Sequence, residues 1–240
     1  MRSTPLNLPP PPYQVFSQHG QDAWLWAILD SIGVNNAVAV EFGAKDGYKD
    51  SNTALLARDR GFKRVMFDTH NENSAIGLYR QFITAETINE QLAAHGVPCD
   101  VDVMSIDVDG MDFWIWRALR GFRPRLVQIE INPNFDGHMS YARVYDPKFV
   151  WALDKNYGSS ALAMVRLGRN LDYQCVGACG HDLFFVARSE LCGKDIAELS
   201  CVPPLCMLAR PAHHGTLDLS KFVEVPEYPV AWCAPWEEAR

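Results

Sequence analysis

No stretch of this 240-residue chain approaches the roughly 18 uninterrupted apolar residues that a membrane-spanning helix needs, so a membrane partner is not expected. Positive charge is in deficit, with 22 Lys+Arg against 29 Asp+Glu and a net charge of −7. That balance removes the electrostatic reason for binding nucleic acid or an anionic surface. The opening residues, with Pro9, Pro10, Pro11 and Pro12 in a row, have no apolar signal-peptide core, and a cytoplasmic location is the expectation. Paired short cysteine spacings are missing too. The seven cysteines are odd in number and unevenly placed, which argues against a disulfide framework and for small buried hydrophobes. Cys175 and Cys179, with His181 nearby, fall short of a structural zinc pattern, and Cys201 and Cys206 do not complete it.

What is present is an ordinary globular composition, 48% apolar and 21% charged, enough for one domain with a real core. Residues 1–16 read as an extended Pro-rich arm, residues 17–188 as the folded domain, and residues 189–240, with six prolines, as an irregular tail packed on it. Apolar residues Trp24, Leu25, Ile28, Leu29 and Ile32 recur at helical spacing until Gly33 stops them, predicting a helix over Asp22–Ile32. Strands are then expected at Ala37–Phe42, Arg64–Asp68, Gln81–Thr84, Val101–Val108 and Arg125–Ile131. Helices are expected from about Ser51 to Gly61, at Ala85–His95 and at Asp112–Leu119, alternating with those strands. A helix at Ser159–Leu171 precedes two closing strands, Tyr173–Gly177 and Leu183–Ala187, whose short connection requires an antiparallel pair. The pattern is α/β and Rossmann-like: a mostly parallel sheet with one antiparallel strand near an edge and helices on both faces. Residues 132–157 interrupt it just after the fifth strand and read as a substrate lid, with Tyr141, Tyr145, Phe149 and Trp151 as acceptor contacts. Phe113 and Trp116, three apart on a helix, read as core.

Three segments carry candidate chemistry. In VEFGAKDGYKDSNT (Val40 to Thr53), Glu41 ends a strand and Gly43 and Gly47 let the backbone turn close to a ligand. The next helix, with Asn52 in its first turn, offers free N–H groups to the same crevice. The spacing differs from the dinucleotide fingerprint, and an acidic Glu41 suits a cationic ammonium better than a pyrophosphate. Asp68 closes the second strand where a carboxylate commonly accepts ribose hydroxyls, though Thr69, His70 and Asn71 also suit a carboxylate-capped turn. In SIDVDGMDFWIW (Ser105 to Trp116), Asp107 and Asp109 alternate onto one side of a strand end, and Glu130 ends the neighbouring strand. Carboxylates so placed must be paired, protonated or metal bound, so Mg²⁺ on Asp107, Asp109 and Glu130 is one reading and simple cofactor positioning the other. Candidate proton acceptors are Asp109, Glu130 and His138, the last because imidazole exchanges a proton near neutral pH.

Together with SQHGQD (Ser17 to Asp22) and RLVQIEINPNF, these motifs resemble FkbM-type S-adenosylmethionine-dependent methyltransferases over about Ser17 to Ala187. The resemblance implies the class I methyltransferase sheet, S-adenosylmethionine as cofactor and methyl transfer, mostly to oxygen, on a small-molecule acceptor. It places Glu41, Gly43 and Asp46 at the methionine end, with Gly47 and Asn52 in the same loop. Asp68 would sit at the ribose, Glu86 near the adenine and Asp107 beneath the sulfonium. The partners expected of the chain are a small-molecule acceptor and a second copy of itself as a homodimer. Other sulfonium or metal-dependent chemistry on the same pocket, or a non-catalytic scaffold, are the alternative classes.

Overall fold

The computed structural model describes residues 15–194 and 214–227; the polyproline arm before them, His213, Cys201, Cys206, Cys233 and most tail prolines lie outside the described residues. Along the chain run α1 (Gln21–Ile32), β1 (Val38–Phe42), α2 (Ala54–Arg60), β2 (Lys63–Asp68), β3 (Leu78–Arg80), α3 (Ile88–Ala94) and β4 (Val103–Ile106). There follow α4 (Asp112–Arg117), β5 (Leu126–Glu130), β6 (Tyr141–Arg143), α5 (Ala161–Asn170), β7 (Tyr173–Cys179), β8 (Asp182–Ala187) and β9 (Phe222–Glu224). Seven strands form one sheet in the order β3-β2-β1-β4-β5-β8-β7. β1 to β5 pair in parallel, and β8 is antiparallel to both β5 and β7. The architecture is therefore α/β and Rossmann-like, with the single reversed strand next to the edge, as the tight connection at Gly180 and His181 requires.

Central strands are mostly apolar because helices cover both faces, the polar exceptions being Glu41, Ser105, Gln128 and Glu130. Ala39, Val103, Leu126 and Phe184 face α1 and α2 through Leu25, Ile28, Leu29 and Leu56. Their neighbours Val40, Met104, Val127 and Phe185 face α3, α4 and α5 through Leu92, Trp116 and Met164. Trp116 is 1% exposed and its ring lies 4.8 Å from that of Phe185 and 5.5 Å from that of Tyr173, so Phe113 and Trp116 belong to the core. Burying one such ring is worth roughly 3 kcal/mol against leaving it in water.

Two elements differ from expectation. The third strand forms three residues early, at Leu78–Arg80 rather than Gln81–Thr84, because Leu78 pairs with Met66 in register and buries against it and Ala44. Gln81–Thr84 is thereby released to run along the crevice. The other difference is long-range. β6, inside the lid, pairs antiparallel with β9 from the tail, Ala142 opposite Val223, and Ser140 Oγ donates to the carbonyl of Val225 at 2.7 Å. The described part of the tail is thus an ordered strap across the base of the lid.

At the opposite end of the sheet, fully buried Asp102 accepts the backbone N–H groups of Asn35, Asn36 and Ala37 at 2.7–3.1 Å and pairs with Arg125. Arg125 also donates to Glu190 at 2.6 Å and to the carbonyl of Gly33 at 2.9 Å. Asp102→Ala leaves three backbone donors without an acceptor and Arg125 with Glu190 as its one remaining carboxylate, and it should lower stability by about 2–4 kcal/mol, measured as a fall in the urea midpoint.

Candidate functional site

Parallel pairing brings the carboxyl ends of β1, β2, β4 and β5 to one edge, where they wall a cavity of about 680 Å³, within the usual range for small-molecule sites. The close approach of β1 and β4 there depends on Gly43, whose φ is +72° and whose Cβ, if present, would lie 1.9 Å from the carbonyl oxygen of Asp107. Only glycine fits that contact. Lys45 is the only lysine or arginine among the described residues lining the cavity, against the carboxylates of Asp68, Asp107, Asp109, Glu130 and Asp146. The lid supplies Tyr145, Phe149, Trp151 and Leu153 to the wall and rests on the β4–α4 loop, where a Cβ on Gly110 would meet the Phe149 ring at 2.3 Å.

The expected cofactor residues separate into two groups. Gly43, Asp68 and Asp107 line the cavity. Glu41 and Asn52 border a second, smaller recess of about 30 Å³ that shares Gly43, Asp107 and Glu130 with it. Glu41 is 2% exposed and its carboxylate already accepts Ser51 Oγ at 2.8 Å, Asn52 N at 2.7 Å, Thr53 N at 3.3 Å and Thr53 Oγ1 at 2.5 Å. It is committed to the turn that starts α2, which corrects the assignment of Glu41 to a ligand ammonium and of those N–H groups to the crevice. Asn52 Nδ2 donates to Ser105 Oγ at 3.1 Å, tying that turn to β4. Asp68 Oδ1 accepts the N–H groups of His70 and Asn71, each at 2.8 Å, so it does cap the following turn. Its Oδ2 accepts Lys45 N at 3.0 Å.

Four further expected residues line neither the cavity nor the smaller recess. Asp46 is exposed and accepts Lys49 N at 2.7 Å and Tyr48 N at 2.9 Å, bonds that hold its carboxyl below the usual carboxylate range. Gly47 packs toward Ile76 and Met66. Glu86 is exposed and accepts the hydroxyl of Tyr145, which is the member of that pair at the cavity wall. His138 sits exposed on the turn closed by Met139 N and Asp136 O at 2.9 Å. In its place the structure brings in His181. Because β7 runs parallel to β1 to β5, the β7–β8 turn returns to the same edge, a signal available from the strand order but not from local sequence. Lys45, unassigned within the glycine loop, joins it. Cys175 and Cys179 form no metal-ligand group with His181 among the described residues.

The acidic residues do converge. One carboxylate oxygen each from Asp107, Asp109 and Glu130 lie within 4.8 Å of one another, a spacing at which a cation can be held. Asp112, fully buried, accepts Val108 N at 2.8 Å and Gly110 N at 3.0 Å and so fixes the loop carrying Asp109, whose φ is +56°. Burial, reinforced by the charges of Asp109, Asp182 and Asp112, pushes Asp107 well above the carboxylate range. Burial and the charge of Asp107 do the same to Glu130, and burial raises Asp112 to about 7. Such an edge attracts cations and repels phosphates. Comparison with family models and with curated proteins finds no match to the chain.

Two outcomes are expected. Glu41→Ala leaves three or four buried donors without an acceptor and should cost about 2–4 kcal/mol of stability, seen in chemical denaturation. In metal-free buffer the folded protein holds protons that the unfolded chain has already released, between the ordinary carboxylate pKa of 3.8 and about 7 for Asp112. The stabilisation is therefore full below that window and lost as pH rises through it. The urea midpoint should fall from pH 5 to pH 8, and fall less in Glu130→Gln, which removes one of the carboxyls that burial and the charge of Asp107 raise.

Proposed function

We propose that the protein is an S-adenosylmethionine-dependent methyltransferase that methylates an oxygen of a small-molecule acceptor. The observation that carries this reading is the charge of a nucleoside-sized cavity at the strand switch point: five carboxylates against Lys45. A sulfonium with an ammonium group suits that lining, whereas a dinucleotide pyrophosphate does not. The usual phosphate position at the helix start is also closed, since Glu41 occupies the N–H groups of Asn52 and Thr53 before α2. The sheet order, with one reversed strand beside the edge, is the arrangement expected of the class I methyltransferase fold and supports the same reading.

In this reading the methionine end lies at Gly43 and Asp107 and the ribose at Asp68. Gln81–Thr84 stand where Glu86 was expected, beside the base. The cofactor supplies an already activated methyl group, so the protein's work is alignment of the acceptor, exclusion of water and removal of one proton. Asp109 and Glu130 line the cavity and are the proton acceptors when no cation occupies them; His138, outside it, takes no part. Phe149, Trp151 and Leu153 close over the acceptor. Phe82, Val150 and Leu153 line the mouth yet remain 41%, 77% and 64% exposed, which favours an acceptor with an apolar face.

Calorimetric titration tests the reading, with S-adenosylmethionine and S-adenosylhomocysteine as ligands and NAD as control. Saturable binding of both sulfur compounds is expected, weakened about 10-fold in Asp68→Ala for the loss of one charged hydrogen bond. Absence of binding by either, or equal binding of NAD, overturns it.

A further inference from the structure

Besides Asp68, six carboxylates crowd the carboxyl edge of the sheet, and they divide sharply by what satisfies them. Glu41 is held by Ser51, Asn52 and Thr53, Asp112 by the N–H groups of Val108 and Gly110, and Asp182 by Gln21 at 2.7 Å and Gln128 at 3.1 Å. No hydrogen bond from the described residues reaches the carboxylates of Asp107, Asp109 or Glu130, and Glu130 Oε2 is sealed from solvent without a partner. The nearby cation does not remedy this, because Lys45 Nζ is bound to Asp50 at 2.7 Å. A buried carboxylate oxygen without a donor is costly enough that native structures normally supply a partner for it.

We propose that Asp107, Asp109 and Glu130 bind one hard divalent cation of the Mg²⁺ or Mn²⁺ class, with open positions toward the cavity for an acceptor oxygen. The ligand type is right, since all three offer hard oxygens. So is the spacing. Oxygens on opposite sides of an octahedral ion are about 4.2 Å apart for Mg²⁺ and about 4.8 Å for Ca²⁺, and the three oxygens here span at most 4.8 Å. Only one pair of the three can lie on opposite sides of an ion, the other pairs having to approach about 3 Å, so the carboxylates must close in as a bound charge replaces their mutual repulsion. Asp107 and Glu130 border both the main cavity, which Asp109 also lines, and a recess of about 30 Å³ with room for a single ion or water. Asp112 and the lid contact at Gly110 hold the loop in place before any ion arrives. The site explains why three of six carboxylates lack internal partners: they are left for a ligand. A cation there would acidify an acceptor hydroxyl that reached it. The clause about the acceptor rests on the methyl-transfer reading; the clause about the cation does not.

The experiment is titration of chelator-treated protein, without cofactor, by MnCl₂ followed by electron paramagnetic resonance, with MgCl₂ as competitor. Expected are one Mn²⁺ per chain, displacement by Mg²⁺, and a loss of affinity of more than about 10-fold in each of Asp109→Asn and Glu130→Gln. Both variants remove a repelling charge, so their metal-free unfolding midpoints should equal or exceed that of the parent, which separates lost ligation from lost folding. No saturable uptake, or uptake undiminished in both variants, overturns the site. Binding of S-adenosylmethionine without Mn²⁺ uptake would sink the cation site alone, and Mn²⁺ uptake without cofactor binding would sink the methyl-transfer reading alone.

Discussion

Parallel pairing of β1 to β5 is the constraint from which the rest follows. Parallel neighbours cannot be joined by a tight turn, so every connection crosses back over a face of the sheet, and the helices that make those crossings supply the two halves of the core. The same geometry sends every strand's carboxyl end to one edge. Residues far apart in the chain, Gly43, Asp68, Asp107 and Glu130, meet there because each stands at or just beyond the end of its strand.

That convergence creates an electrostatic difficulty which the protein meets in two ways. Where a carboxylate has a structural task, backbone or side-chain donors surround it: Glu41 holds the start of α2, Asp112 the β4–α4 loop and Asp182 the junction of α1 with β5. Asp102 performs the same service at the far end of the sheet, with Arg125 as its partner. Where no such task exists, at Asp107, Asp109 and Glu130, burial raises the carboxyl pKa, with repulsion from neighbouring acids adding to it at Asp107 and Glu130, and leaves a place for positive charge. Buried acids at one edge thus serve both as fasteners and as a site, and the hydrogen-bond inventory tells the two apart.

The lid adds a second long-range dependence. Its β6 strand is held by β9 from the tail, and Phe149 seats on Gly110. Enclosure of the cavity therefore draws on the β4–α4 loop, on the segment after β5 and on a strap some eighty residues further along the chain.

The α/β alternation, the two-sided burial, the reversed penultimate strand and the grouping of Asp107, Asp109 and Glu130 were legible in the sequence. Each follows from local periodicity or from the rule that strand ends of a parallel sheet share an edge. Glu41, Asp46 and His138 were not, because what a polar side chain does depends on which donors surround it. Those donors sit ten to twelve residues away for Glu41 and within three residues for Asp46, and His138 lies outside the cavity lining. The shift of β3 to Leu78 depended on the fit of one side chain against Met66, and the β6–β9 pair on a contact between segments about eighty residues apart, beyond the reach of any local pattern. Hydrophobic periodicity is written along the chain and so determined the layers by itself; partner choice among polar groups is a matter of three-dimensional proximity, which only the tertiary structure decided.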